Sequence, residues 1–166
     1  MRRRDEGRQV WQSIGGHEMG SIWGHGSYVA PDWSADWLHR EATALLEIWS
    51  QREAGKAYAD LDAAQQAGLR AKLQTALRTN TYNPETGVIT VDEDRAQAIR
   101  QVSDHYLRLF GPDVELNTLR AQYAIQQNPI PDPDQRQAMM AFFFWSSWSA
   151  SWPAPRPRSN GWRCRR

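Results

Sequence analysis

Cysteine and long apolar runs are both scarce in this chain. Cys164 is the single cysteine among 166 residues, which excludes an intrachain disulfide framework and any metal site built from several thiolates. No uninterrupted apolar stretch reaches the ~18–20 residues that a membrane-spanning helix needs, and the longest one, within residues 139–145, is too short. The charged start MRRRDEGRQV is not followed by an apolar run, so no secretory signal is predicted. The composition, 40% hydrophobic and 23% charged, fits one domain with its own hydrophobic core.

Positive charge is concentrated at the two ends of the chain. Residues 1–8 carry four arginines against two acids, and residues 153–166 carry five arginines and no acid. The body between them holds eleven basic and seventeen acidic residues, and an acidic body argues against nucleic acid as a partner. The tail also holds three prolines and has no periodicity. We therefore expect a disordered basic start over residues 1–6, a domain over residues 7–152 and a disordered tail over residues 153–166.

The hydrophobic pattern predicts a mostly α-helical domain with one small β element. Apolar residues recur at helical spacing in several segments, and glycine, proline or aspartate stands at their ends. Between two of these segments, Asn83-Pro84-Glu85-Thr86-Gly87 is a turn followed by a β-branched run, which predicts a hairpin or extended arm. The last helix is apolar all round at its centre, so it is either buried or meets lipid or a partner. The predicted helices are residues 6–14, 33–53, 60–78, 93–110, 114–126 and 135–150, with the β element over 81–91.

Residues 23–41, WGHGSYVAPDWSADWLHRE, combine tryptophan, histidine, glycine and acidic residues more densely than any other stretch. Asp32 or Ser34 can cap a helix, so the stretch is predicted to be a shaped loop that enters a helix. Its histidines and acids, with His17 and Glu18 upstream, suit zinc or iron as ligand types. No H-E-x-x-H motif occurs, and His39 and Glu41 fall on different helix faces, so the spacing does not support a metal site. Nucleophile-elbow and dinucleotide-binding patterns are absent as well.

Four segments together resemble the N-terminal extramembrane part of quinol-dependent nitric oxide reductases. In order they are GRQVWQSIGG, GSIWGHGSYVAPDWSADWLHREA, TNTYNPETGVITV and AFFFWSSWSAS, and the resemblance spans residues 7–151. It implies a cytochrome c-like periplasmic domain at the bacterial inner membrane, joined to membrane helices in the same chain. Those helices would carry haem b, haem b3 and non-haem iron and reduce nitric oxide to nitrous oxide with electrons from quinol. Since such helices are missing here, the resemblance implies a fragment without catalytic residues or cofactors of its own.

The resemblance also implies that this domain has lost a covalent haem. In the related cytochrome subunit a C-x-x-C-H motif precedes a segment similar to GHGSYVAPDW, and aligning the two places Gly16, Met19 and Gly20 at the Cys, Cys and His positions. Without thiols and a proximal histidine, a c-type haem has no attachment. Its former space is expected to be filled by tryptophans, and an empty haem-sized cavity beside Trp23 and Trp33 would contradict this.

The role expected for the domain is to cap the membrane helices, with quinol nearby, through residues 23–37 and the aromatic run of residues 142–148. Two alternatives stay open: an independent metal-dependent enzyme using residues 17–41, and a free-standing protein that binds partners through an aromatic surface. The residues predicted to shape the loop or form the interface are Trp23, Gly24, His25, Gly26, Tyr28, Pro31, Asp32, Trp33, Asp36, Trp37, His39, Arg40, Glu41, Phe142, Phe143, Phe144, Trp145 and Trp148.

Overall fold

The computed structural model describes residues 2–16, 18–24 and 29–151 of the chain. These residues form six α-helices and one two-stranded antiparallel sheet, which confirms the prediction of a mostly helical fold with a small hairpin. The predicted tail over residues 153–166 lies outside the described residues. The elements in chain order are α1 (Arg2–Ser13), α2 (Trp33–Ala54), α3 (Ala63–Arg78), β1 (Tyr82–Asn83), β2 (Val88–Ile89), α4 (Glu93–Leu109), α5 (Asn117–Gln122) and α6 (Pro133–Ala150).

An aspartate caps each of the four long helices that follow α1. The side chains of Asp32, Asp62, Asp92 and Asp132 accept hydrogen bonds from backbone N–H groups in the first turns of α2, α3, α4 and α6. These N–H groups have no partner inside the helix, so a capping carboxylate fixes where the helix begins. The observed starts agree closely with the predicted ones. The hairpin is also confirmed, with Tyr82 opposite Ile89 in its register.

Helix α1 begins earlier than the sequence pattern indicates. It starts at Arg2, so the prediction of a disordered start is wrong for residues 2–6. The helix lies along α6, and the two backbones come very close at Gly7, where an added Cβ would lie 2.0 Å from the carbonyl oxygen of Ala138. Packing against α6 therefore holds the arginine-rich first turn in the helix, and the local sequence alone does not reveal this contact.

The predicted helix over residues 114–126 is shorter and divided in the structure. A 3₁₀ turn at Val114–Leu116 leads into α5, and Ala124 then adopts a positive φ of 54° that ends the helical path. Arg120 in α5 is buried, and its guanidinium donates to the carbonyl oxygens of Arg108 (3.0 Å) and Leu109 (2.9 Å). These bonds tie the segment to the end of α4, so long-range hydrogen bonding decides its shape.

Two groups of buried side chains form the core. The larger one joins α1, α2, α4 and α6 around Trp33, and the smaller one joins α2, α3 and α4 around Trp49. Helix α6 is buried through its centre, where Met139 and Phe143 have no exposed surface. Of the two roles considered for this apolar helix, burial in the core is therefore the correct one. In the described part of the chain, no helix has both the length and the hydrophobicity to cross a bilayer.

Candidate functional site

Asp32 organises the turn from the glycine-rich loop into α2. One carboxylate oxygen accepts from the backbone N–H of Ala35 at 2.9 Å and from the hydroxyl of Ser34. The other accepts from the hydroxyl of Ser21 at 2.7 Å and from the N–H of Gly24 at 2.6 Å. Burial alone would raise the pKa of Asp32, but these hydrogen bonds outweigh it and hold the pKa below its ordinary value. Asp32 therefore has a structural role here, with all of these bonds inside the domain.

We expect Asp32→Ala to lower the free energy of unfolding by about 1–2 kcal/mol, because it removes a helix cap and leaves the Gly24 N–H without its acceptor. Asp62→Ala is the matched control, since that aspartate caps α3 but does not bind a second loop; its loss should be the smaller one. Urea unfolding followed by tryptophan fluorescence measures both values. Equal losses in the two variants would contradict the loop-holding role of Asp32.

The same carboxylate makes stability depend on pH. Since the folded-state pKa of Asp32 is lowered, its contribution is fully present above the unfolded pKa of about 3.9 and is lost as the pH falls through the folded value. Asp32→Asn should therefore reduce the loss of stability on acidification, relative to the unmodified chain. Urea midpoints measured from neutral pH down to about pH 3 test this, with Asp62→Asn as the control.

Tryptophan side chains fill the space beside the three positions that the resemblance aligns with haem attachment. An added Cβ at Gly16 would lie 2.4 Å from ring atoms of Trp11, and one at Gly20 would lie 2.4 Å from Nε1 of Trp33. That Nε1 donates to the carbonyl oxygen of Met19 at 2.8 Å. Neither thiols nor an imidazole stand at these three positions, and side chains added at Gly16 and Gly20 would collide with the indoles. The residues present therefore do not fit a covalently attached haem.

Of the two tryptophans expected to fill haem space, one is buried and the other is exposed. Trp33 has no exposed surface, stacks on Phe143 at a centroid distance of 5.9 Å, and meets Tyr106 edge-on. Trp23 is instead 56% exposed, so for this residue the prediction is wrong. A groove of about 390 Å³ lies beside Trp23, but Trp33 does not line it. This groove therefore does not adjoin both residues.

Asp36 and Arg40 form an i, i+4 ion pair on α2. Nε of Arg40 donates to Asp36 at 2.8 Å, and the hydroxyl of Tyr106 in α4 also donates to this carboxylate. Burial raises the pKa of Tyr106 well above its usual value, and the adjacent carboxylate of Asp36 raises it further. Tyr106 therefore stays protonated and links α2 to α4.

Glu41 lies in the protein interior and is paired with Arg95, which has no functional signal in the sequence. Its carboxylate accepts from Nε of Arg95 at 2.7 Å and from Nε1 of Trp37 at 3.1 Å. The side chains of Glu41 and Arg95 are only 1% and 4% exposed. Arg95 also donates to the carbonyl oxygen of Ala76 at 3.3 Å, which connects α2, α3 and α4. Glu41 thus holds three helices together instead of facing a solvent-filled site.

The histidine and acid set does not assemble into a metal site among residues 2–16, 18–24 and 29–151. In these ranges no three His, Cys, Asp or Glu side chains are grouped so that they could hold a metal ion. His39 is exposed on α2, while Asp32, Asp36 and Glu41 are used in the contacts described above. The predicted roles of His17, His25, Gly26 and Tyr28 fall outside the described residues.

Most of the predicted aromatic contact surface lies in the core. Trp37 stacks on Tyr106 at 5.5 Å with nearly parallel rings, and neither side chain is exposed. The run over residues 142–148 is likewise largely internal, because α6 packs against α1, α2 and α4. The interpretation as an interface is therefore corrected to a core role for Trp33, Trp37, Phe142, Phe143 and Trp148, while Phe144 and Trp145 are half-buried.

A further surface feature is the groove beside Trp23, between α1, residues 18–24 and α6. Nε1 of Trp23 donates to the carbonyl oxygen of Ser146 at 2.8 Å, and its ring lies 5.6 Å from that of Trp145. The guanidinium of Arg4 lies 4.5 Å above the Trp145 ring. We call this site the Trp23 groove. Its lining residues are Arg4, Asp5, Arg8, Trp11, Gln12, Ile22, Trp23, Phe142 and Trp145.

The backbone at Trp23 has an unusual conformation. Its φ is +55°, a left-handed value that costs a bulky residue about 1–2 kcal/mol. The N–H of Trp23 donates to the hydroxyl of Ser34 at 3.1 Å, and that hydroxyl in turn donates to Asp32. The loop network therefore holds an exposed indole in a strained position. Neither this conformation nor the proximity of Arg4 and Arg8 has a signal in the sequence pattern.

Comparison with known protein families agrees with the resemblance noted in the sequence. The family model described as the NorB cytochrome c-like domain of nitric oxide reductase matches residues 4–160, which is nearly the whole chain. No curated protein sequence matches the chain. The family match covers both core groups, the hairpin and the loop that carries Gly16, Met19 and Gly20. The chain therefore belongs to the family of NorB cytochrome c-like domains of nitric oxide reductase.

Proposed function

We propose that this chain is a haem-free, non-catalytic periplasmic domain of a quinol-dependent nitric oxide reductase. The observation that carries the proposal is the occupation of the haem-attachment region by indoles, in a chain that belongs to the NorB family. In this proposal the membrane part of the reductase holds haem b, haem b3 and non-haem iron and converts nitric oxide to nitrous oxide. The domain caps that part and neither carries electrons nor reacts with nitric oxide.

The polar residues of α2 support a scaffold role. Asp36 bonds Arg40 and Tyr106, and Glu41 bonds Arg95 inside the core. A general acid or base needs access to its substrate within hydrogen-bonding reach. Glu41 is 1% exposed, and the carboxylate of Asp36 is engaged by Arg40 of α2 and Tyr106 of α4. The domain is thus a rigid body whose charged groups hold helices together. A rigid body of this kind suits a cap on the membrane helices.

The absence of covalent haem can be tested in cells that attach haem c. The chain is exported to a periplasm that contains the haem c attachment machinery, together with a C-x-x-C-H cytochrome as the positive control. After denaturing electrophoresis we expect haem-dependent peroxidase staining of the control only. An electrode measurement with quinol should show no nitric oxide consumption by the chain. Stained chain or catalytic turnover would overturn the proposal.

The capping role is tested with the membrane part of a NorB reductase produced without its extramembrane domain. We expect the added chain to co-purify with it in detergent and to restore quinol-dependent nitric oxide consumption. Cytochrome c-like domains that carry haem serve as the control for non-specific association. If the chain neither binds nor changes turnover, the capping role is wrong even if the chain lacks haem.

A further inference from the structure

We propose that the Trp23 groove binds an anionic phospholipid, with the acyl region on its aromatic floor and the phosphate between Arg4 and Arg8. This site lies apart from the buried ion pair of Glu41 and Arg95. It rests on the membrane association of the NorB family and not on the haem-free role of the domain.

The floor of the groove is apolar and aromatic. Trp11 and Phe142 are 4% and 5% exposed, and their rings lie 5.9 Å apart. Ile22 and Trp145 complete the walls, and the volume of about 390 Å³ falls in the ~300–1,000 Å³ range of small-ligand sites. An acyl segment placed here replaces water on aromatic surfaces. A free phosphate or a sugar phosphate has no apolar chain that could contact this floor.

The rim of the groove is positively charged. Arg4 and Arg8 line it together with one acid, Asp5, to which Arg4 donates at 3.0 Å. Arg8, one turn further along α1, is exposed and has no ion pair within the described part of the chain. A phosphodiester accepts charge-assisted hydrogen bonds from arginine, and each arginine near an anionic bilayer adds to the attraction.

Trp23 adds the feature typical of a protein at a membrane interface. Tryptophan is enriched there because an apolar ring and a polar N–H suit the boundary between headgroups and acyl chains. The Trp23 indole is 56% exposed although its backbone is held at φ +55°, and it forms one wall of the groove with Trp145. Arginines beside an exposed tryptophan at an apolar groove match a lipid with an anionic headgroup, whereas a peptide would need backbone partners at the rim.

The test uses the 166-residue chain with the five arginines of residues 153–166 replaced by glutamine, so that the tail cannot supply the attraction. The probes are dihexanoyl phosphatidylglycerol and dihexanoyl phosphatidylcholine, both kept monomeric, with glycerol 3-phosphate as the soluble-phosphate probe. Binding is followed by calorimetry and by the blue shift of tryptophan emission. Vesicles of phosphatidylglycerol and of phosphatidylcholine then test the membrane surface itself by co-sedimentation.

We expect the anionic lipid to bind at least about tenfold more tightly than the zwitterionic one, since each arginine near an anionic headgroup contributes about fivefold. Arg4→Gln with Arg8→Gln should abolish this preference, and glycerol 3-phosphate should not bind measurably. Arg78→Gln with Arg100→Gln is the matched control, because both arginines are exposed on other helices. That control should keep the full preference.

Trp23→Gly removes the indole but keeps the backbone conformation, because glycine adopts the positive φ without strain. We expect this variant to unfold cooperatively and to bind both lipids at least about fivefold more weakly, with most of the emission shift lost. Equal binding of the two lipids, a preference that survives loss of Arg4 and Arg8, or binding of glycerol 3-phosphate as tight as that of the lipid would each overturn the proposal.

Discussion

Gly20→Ala is expected to lower the free energy of unfolding by about 2–5 kcal/mol. A left-handed backbone costs a non-glycine residue ~1–2 kcal/mol, and overpacking a full site costs ~1–3 kcal/mol. Both apply at Gly20, since its φ is +120° and an added Cβ would lie 2.4 Å from Nε1 of Trp33 and 2.6 Å from the carbonyl oxygen of Pro31. Urea unfolding at neutral pH measures the loss. Gly20→His, which restores the histidine of the haem motif, should prevent folding altogether.

Two other glycines distinguish the free-energy cost of backbone strain from that of steric overlap. An added Cβ at Gly87 meets nothing within 4 Å although its φ is +69°, so Gly87→Ala should lose only the ~1–2 kcal/mol of backbone strain. Gly68 in α3 has open space and ordinary angles, and Gly68→Ala should stabilise the chain by about 0.5–1 kcal/mol. If Gly20→Ala loses no more than Gly87→Ala, then Trp33 does not fill the space beside Gly20.

Removing one partner of the buried ion pair is the second change with a large expected effect. Arg95→Met should lower the free energy of unfolding by about 3–5 kcal/mol, because it leaves the carboxylate of Glu41 buried without a countercharge. The remaining donor to Glu41 is the indole N–H of Trp37 at 3.1 Å, which is neutral. Urea and thermal unfolding should show the same loss. A loss no larger than that of a surface variant would contradict the buried pairing.

The double variant Glu41→Leu with Arg95→Met should recover most of this loss. Two apolar side chains of similar volume leave no buried charge, and such replacements are often neutral or stabilising. Arg52→Gln serves as the surface control, because Arg52 is exposed in its pair with Asp94 and water screens the interaction. This variant should change the free energy of unfolding little. A double variant as unstable as Arg95→Met would mean that the polar network itself is required for folding.

Local features of the sequence were sufficient for the starts of the long helices α2, α3, α4 and α6 and for the hairpin. Capping aspartates such as Asp62 and Asp92, and the turn before β2, act on the residues next to them, so their signal is readable without a fold. Gly16 and Gly20 likewise offer no side chain that could hold a haem, wherever the loop lies. The four segments that resemble the reductase family also predicted correctly the family to which the chain belongs.

Exposure could not be predicted from the sequence in the same way. Trp23 and the aromatic side chains of residues 142–148 are similar in chemistry. Most of those side chains are nevertheless buried, whereas Trp23 is 56% exposed. The difference arises because α6 is enclosed by three helices, while Trp23 lies on a loop at the edge of α1. Periodicity describes one helix at a time and does not report which elements surround it.

The sequence by itself determined the helical class of the domain, the hairpin and the family. Only the tertiary structure decided that Trp33 occupies the space beside Gly20, and that Glu41 meets Arg95 across 54 residues of chain. It likewise decided that Trp23 binds Ser146 across 123 residues and forms a groove with the arginines of α1. The physical reason is that caps and turns are short-range hydrogen bonds, whereas burial, ion pairing and grooves depend on contacts between distant segments.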